Sequence, residues 1–332
     1  HGTAEKYVAN LYIMNSDGTG MRRLCFDQDH DFHPSVRNNG QVVYSRWDYT
    51  GINRLYLRPV MAMNPDGTSQ KAIYGSNTWF PNGFYYPQEL PGQTGKFLGI
   101  AAGYHGSWRS GKLAILDINN GNNKDAGLTQ IYGQWNYLEP EIKDRWSWQS
   151  WPEFMTPSFI SDNYFLTSVW EKEENKKIAI YLADVDNNLN LLYEEDGFAF
   201  LEPIPIVKRK IPPVHPDRLN LADNETSVYI QDIYEGPGLK GIPRGVVKDI
   251  RVISYDFGYI GMAGVDKIGL SGPWESMRIV GTTPVEEDGS AIFKIPANTP
   301  VAFQALDEDG NAVQLMRSWV TGMPGEVMSC VG

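Results

Sequence analysis

Short apolar runs separated by Asx-Gly turns recur along this chain. Leu11-Tyr12-Ile13-Met14-Asn15-Ser16-Asp17-Gly18-Thr19 returns as Val60-Met61-Ala62-Met63-Asn64-Pro65-Asp66-Gly67-Thr68, 49 residues on. In each copy a strand-like run, a turn and a second short run (Met21 to Phe26, Gln70 to Tyr74) make a β-hairpin with the turn residues a hairpin needs. Weaker copies follow at Leu113 to Ile118, Ile178 to Tyr193 and Val301 to Met316. A second element lies between them. Pro34-Ser35-Val36, Asn38-Asn39-Gly40 and Gln41 to Arg46 read as strand, turn, strand, and Pro157 to Ile160, Ser161-Asp162-Asn163 and Tyr164 to Val169 repeat the order. No stretch carries a useful helical period.

Two hairpins in about 45–60 residues are the content of one four-stranded propeller blade. The pattern therefore predicts an all-β chain, a β-propeller over residues 1–332, with six blades fitting the length best and seven also fitting. The N-terminal hairpin (7–26) could complete the last blade and leave no open sheet edge. Pro203 to Pro216 and Gly236 to Gly245 read as loop insertions. A pair of β-sandwiches is the alternative, since antiparallel strands at even spacing suit both.

Composition narrows the function. The 332 residues include 33 Gly, 21 Pro and 12% aromatics, which suits strands and turns. A formal charge of −11 without a basic block argues against nucleic acid and anionic membranes. No apolar run approaches the roughly 18–20 residues of a membrane span. Two cysteines exclude a disulfide-dense scaffold. The first residue is His1 and no leader is visible, so localisation cannot be read from one.

The segments Asn10 to Thr19 and Pro34 to Tyr49 resemble the TolB-like propeller repeat. Val285-Glu286-Glu287-Asp288-Gly289-Ser290-Ala291, Ile295 to Pro300, Gln304 to Asp307, Gln314 to Trp319 and Pro324-Gly325-Glu326 are more specific. With the ending Ser329-Cys330-Val331-Gly332, they resemble the middle, propeller region of the hydrazine synthase α-subunit family. That resemblance implies an exported or periplasmic redox protein carrying a c-type haem, with redox partner subunits. In the family the last motif continues as Cys-x-x-Cys-His, in which two thiols bind the haem vinyls and the histidine binds iron. Cys330 takes the first cysteine's place, and this sequence holds neither the second cysteine nor the histidine. The segment 320–332 would lead to the haem region, and covalent haem is not expected on this chain as it stands.

The densest group of ligand-type side chains is Cys25 to His33, with a thiol, two imidazoles and three carboxylates. Cys25, His30 and His33 are candidate zinc ligands by donor chemistry. The resemblance adds that a propeller cysteine can lie near the haem and bind metal. An acidic loop with a buried cysteine is the structural alternative. His105, between glycines in Gly103-Tyr104-His105-Gly106, is a candidate acid/base or ligand. Asp48, closing a strand beside Arg46, is a catalytic candidate that could pair with Arg46 or another cation at the channel mouth. Arg317 is a candidate for a haem propionate. The aromatic cluster Arg145-Trp146-Ser147-Trp148 with Trp151 reads as packing between blades or a binding platform. The alternating aspartates 27, 29 and 31 lack calcium-loop spacing and read as turn residues. Three functions compete: the scaffold of a c-type haem protein, a non-catalytic binding module, and a carbohydrate hydrolase, for which no carboxylate pair can be selected.

Overall fold

A computed structural model of the chain describes residues 8–48, 57–76, 78–105, 109–133, 144–172, 174, 177–256 and 276–332. The N-terminal hairpin, β1 (Tyr12–Ile13) and β2 (Arg22–Arg23), forms a two-stranded sheet of its own. Three four-stranded sheets follow, each with its strands in chain order. They are β3 (Asp31–Val36), β4 (Val42–Arg46), β5 (Val60–Met63) and β6 (Lys71–Tyr74); β7 (Gly83–Glu89), β8 (Lys96–Ala102), β9 (Lys112–Asp117) and β10 (Leu128–Gln130); and β11 (Glu153–Phe159), β12 (Tyr164–Trp170), β13 (Ile178–Asp184) and β14 (Leu189–Tyr193). All pairings within them are antiparallel. This is the predicted blade, and the all-β, propeller-like expectation holds.

The blades stack by burying the alternate face of each strand. Val43, Val60 and Tyr74 of the first pack on Phe84, Phe97 and Leu116 of the second. Tyr85, Leu98 and Ile100 of the second pack on Phe154, Phe165 and Tyr181 of the third. Each innermost strand carries the same irregularity. His33, Tyr86 and Thr156 have φ of 54°, 55° and 43°, each precedes a proline, and each sits at a register shift in the ladder. The residue after the proline reaches the next blade: Ser35 Oγ donates to the Pro87 carbonyl at 2.6 Å, and Gln88 Nε2 to the Pro157 carbonyl at 2.8 Å. These bulges aim equivalent side chains toward the inner end of the blades.

After Tyr193 the topology changes. An extended strap, 194–224, crosses the surface and leads to β15 (Glu225–Ile230), β16 (Asp249–Asp256), β17 (Ser276–Pro284), β18 (Ala291–Pro296), β19 (Pro300–Leu306), β20 (Ala312–Leu315), β21 (Val320–Thr321) and β22 (Val327–Cys330). One sheet runs β18-β15-β22, with β22 parallel to β15; the other runs β17-β16-β19-β20, with β21 also on β19. Val228, Ile230, Ile250, Val252, Ile295 and Val301 form the core between them. These strands do not follow the blade order. Six meander blades are therefore not reached among the described residues, which show three. The hairpin 12–23 joins no larger sheet among them; it packs Leu11, Leu24 and Cys25 on Tyr44, Met61 and Met63 of the first blade. The segment 320–332 supplies two strands of the C-terminal unit.

The repeated turns are alike in detail. Asn15 N–H donates to the Thr19 carbonyl and Asn64 N–H to the Thr68 carbonyl, both at 2.9 Å. In each copy the aspartate takes the threonine amide at 2.9 Å and its hydroxyl at 2.7 Å. The first copy is exposed and the second is buried against the C-terminal unit. Gly67, at φ +92°, lets Met323 approach so closely that a Cβ would lie 2.5 Å from its methyl. Glu326 accepts from the amides of Ser69 at 2.7 Å and Met323 at 2.8 Å.

Candidate functional site

Two clusters gather the residues with chemistry. The first is buried where the hairpin, the first blade and the C-terminal unit meet. Arg46, 2% exposed, ends β4 pointing inward. Its Nη2 lies 2.9 Å from Asp27 Oδ2 and its Nε 3.1 Å from Asp31 Oδ1. Nη2 also donates to the Tyr44 hydroxyl at 3.2 Å and to Gln70 Oε1 at 3.0 Å. The Trp319 indole N–H donates to Asp27, and its ring lies 5.2 Å from the guanidinium.

The two aspartates titrate in opposite directions. Burial, then the charge of Asp27, push Asp31 well above the carboxylate range. Burial opposes the charge on Asp27 too, but Arg46 and the hydrogen bonds from Asp31 and Trp319 outweigh it and hold Asp27 low. Cys25 joins them, with the ligand atoms of Cys25, Asp27 and Asp31 all within 4.8 Å. Burial and the neighbouring carboxylates push its thiol well up. A guanidinium already paired with both carboxylates makes this a poor cation site. This cluster joins parts of the molecule.

The second cluster lies at the inner end of the blades. His33 and Tyr86, the bulge residues of β3 and β7, stack at 3.8 Å, beside Phe32 and Tyr85. Arg109 lies over Phe32 at 4.7 Å. His30 stacks on Trp47 at 5.8 Å, Trp47 meets Tyr104 at 5.3 Å, and Tyr104 meets His105 at 4.4 Å. Arg58, 4% exposed, sits 3.8 Å from the Tyr104 ring and 5.4 Å from Trp47. Asp144 accepts from the backbone N–H of His105 at 3.2 Å, and its Oδ2 lies 2.6 Å from His105 Nδ1. Gly103 permits this approach, because a Cβ there would fall 1.8 Å from the Asp144 carbonyl oxygen. The carboxylate orients the His105 ring through its Nδ1 edge. His33 and His30 behave differently. Burial, then the charge of Arg109, bring His33 down to about 3 and lower His30 as well. Both are neutral imidazoles at neutral pH, able to accept a hydrogen bond or bind a metal but not to act as acids.

The expected zinc set is not assembled. Cys25 belongs to the Arg46 cluster, while His30 Nδ1 lies 3.0 Å from the Ala9 amide nitrogen and His33 is stacked on Tyr86. Among the described residues, Cys25, Asp27 and Asp31 are the group of ligand-type atoms brought within reach of one ion. Asp48 does not pair with Arg46, whose carboxylates are Asp27 and Asp31; it accepts from Ser318 Oγ at 2.6 Å and ties β4 to the C-terminal unit. Arg317 is exposed beside that contact. Trp146 donates to the Pro81 carbonyl at 2.7 Å and packs on Phe80, as blade packing predicts, and Gly106 lies outside the described residues.

Arg58, Tyr86, Arg109 and Asp144 escaped the sequence reading. A signal for Tyr86 was present: Tyr86-Pro87-Gln88 is a third copy of the element seen at Pro34 and Pro157.

Cys330 is a free, partly buried thiol at the end of β22, packed beside the core of the C-terminal unit. A c-type haem requires a second thiol and an axial imidazole beside the first. Cys25 packs in another cluster, and the described histidines stand elsewhere: His30, His33 and His105 in the aromatic cluster, and His215 bonded to the Asn39 carbonyl at 2.7 Å. Among the described residues, no second thiol and no histidine stands beside Cys330.

Blades in series, a two-sheet unit clamped on the first, and an imidazole-aromatic cluster at the blades' inner end define a propeller-like scaffold. Residues 245–332 match the family model of the hydrazine synthase alpha subunit middle domain. A solved structure of Kuenenia stuttgartiensis hydrazine synthase shares the fold over 97% of this chain, with a TM-score of 0.77 at 15% identity. The chain spans 46% of that one's length. No curated protein matches. Residues 245–332 are thus similar in sequence to the hydrazine synthase alpha subunit middle domain, and nearly the whole chain shares its fold with that solved hydrazine synthase.

Proposed function

We propose that this chain is the propeller scaffold of an exported c-type haem redox protein related to the hydrazine synthase α-subunit. The observation that carries this reading is the family match over 245–332, which runs through Cys330. In this reading the blades and the C-terminal unit are a rigid frame, and Cys330 is the first thioether cysteine. The neutral His30 and His33, with Arg58, Tyr104 and the His105–Asp144 pair, form a polar, aromatic-walled environment for a small substrate or a redox partner subunit. Haem, when bound, would supply the electron transfer. The reading is tested by the reduced pyridine haemochrome spectrum of the protein isolated from its native source. A c-type spectrum supports it, and a protein devoid of covalent haem refutes it.

A second reading, a non-catalytic interaction module, is favoured by the apolar strap on the surface.

A further inference from the structure

The strap is anchored at both ends and largely exposed between them. At its start the Glu202 amide donates to Thr156 Oγ1 at 3.0 Å. At its end His215 Nε2 bonds the Asn39 carbonyl at 2.7 Å, the Arg218 amide donates to Asp66 Oδ2 at 2.7 Å, and the Asn220 amide to the Pro324 carbonyl at 3.0 Å. Between these anchors Pro203 to Pro216 holds five prolines, which keep the backbone extended and remove N–H donors. Its large aliphatics face water: Ile204 is 73% exposed, Ile206 102%, Ile211 85% and Val214 90%. A folded chain does not ordinarily leave such a row uncovered. Lys208, Arg209 and Lys210 interrupt the row, and none makes an ion pair among the described residues; Arg209 lies over the Phe159 ring at 4.6 Å.

We infer that the strap, Pro203 to Pro216, is a docking segment for a partner protein that offers an acidic groove with apolar sockets. The two ends fix its path, so little ordering entropy is lost on docking. Prolines and β-branched residues on an extended backbone fill sockets, and three adjacent cations select an acidic rim. A membrane is a poorer occupant. The strap is flanked by Glu194, Glu195, Asp196 and Glu202 on one side and Asp217 and Asp223 on the other, on a chain of charge −11. A flat anionic bilayer would meet those acids, whereas a groove takes the strap alone. The inference does not depend on haem.

The test places a photo-cross-linking amino acid at Ile206, or at Ile211, of the full-length protein in its source organism, with Ile292, also exposed, as control position. The expected result is one partner polypeptide cross-linked from the strap and not from Ile292, through an Asp/Glu-rich segment. The purified pair should then associate with an affinity that falls about tenfold in Lys208→Glu/Lys210→Glu and weakens with salt. No adduct, or adducts to lipid, to the same chain or to a second copy of it, would overturn the inference. So would a purified pair that binds equally well after charge reversal.

Discussion

At the residue scale, Arg46 shows how a polar cluster can sit inside a β-rich core. The guanidinium bonds one oxygen of each aspartate, and the charges of Arg46 and Asp27 compensate one another's desolvation. Arg46→Met should destabilise the fold by about 3–5 kcal/mol in urea unfolding, because Asp27 would be left as a buried, uncompensated charge. Adding Asp27→Asn and Asp31→Asn should recover much of that loss. His33 carries a different signature. Its folded pKa, about 3, lies below its ordinary 6.5. Above 6.5 the imidazole is neutral in both states and costs nothing; as pH falls below it the unfolded chain takes up the proton first, and stability drops. His33→Gln should remove that part of the slope, up to about 1.4 kcal/mol per pH unit, in denaturation curves compared between pH 7 and 4. The sequence marked 25–33 as the place where ligand-type residues concentrate. It could not reveal that Cys25, Asp27 and Asp31 enter one core while His30 and, through the bulge at positive φ, His33 turn toward another, because that division depends on Arg46 and Trp319, far away in sequence, and on the neighbouring blade.

At the scale of elements, the hairpins were legible because their turns are local. Asn64 to Thr68 needs only its own side chains to form, and Asn15 to Thr19 forms the same bonds in water as the buried copy does inside. The bulged inner strands were not. A residue at positive φ before a proline contradicts the local preference for extended geometry there, so the shared step before proline marks His33, Tyr86 and Thr156 as a repeat without announcing their bulge. Neighbouring blades over-determine these positions. The two bonds from Ser35 and Gln88 to the next blade's proline carbonyl are a repeated interlock. Gln88→Ala should cost about 1 kcal/mol, read as a lowered urea midpoint at unchanged slope, since the bond joins elements already packed.

At the scale of the whole molecule, the repeat gave the blade but not its number. Val301 to Met316 has the same run-turn-run pattern as a blade hairpin and forms one, yet its neighbours pair out of chain order, and β22 runs parallel to β15. Local pattern cannot distinguish these arrangements, because strand order is set by long-range pairing. What the C-terminal block did disclose was kinship, through residues such as Pro324-Gly325-Glu326, whose carboxylate holds the Ser69 amide and so docks the unit on the first blade. The most direct test of the scaffold reading is a peptide mass map of the natively matured protein around Cys330. The account predicts a peptide in which the Cys330 sulfur carries haem through a thioether; recovery of that peptide with an unmodified thiol from fully matured protein would contradict it.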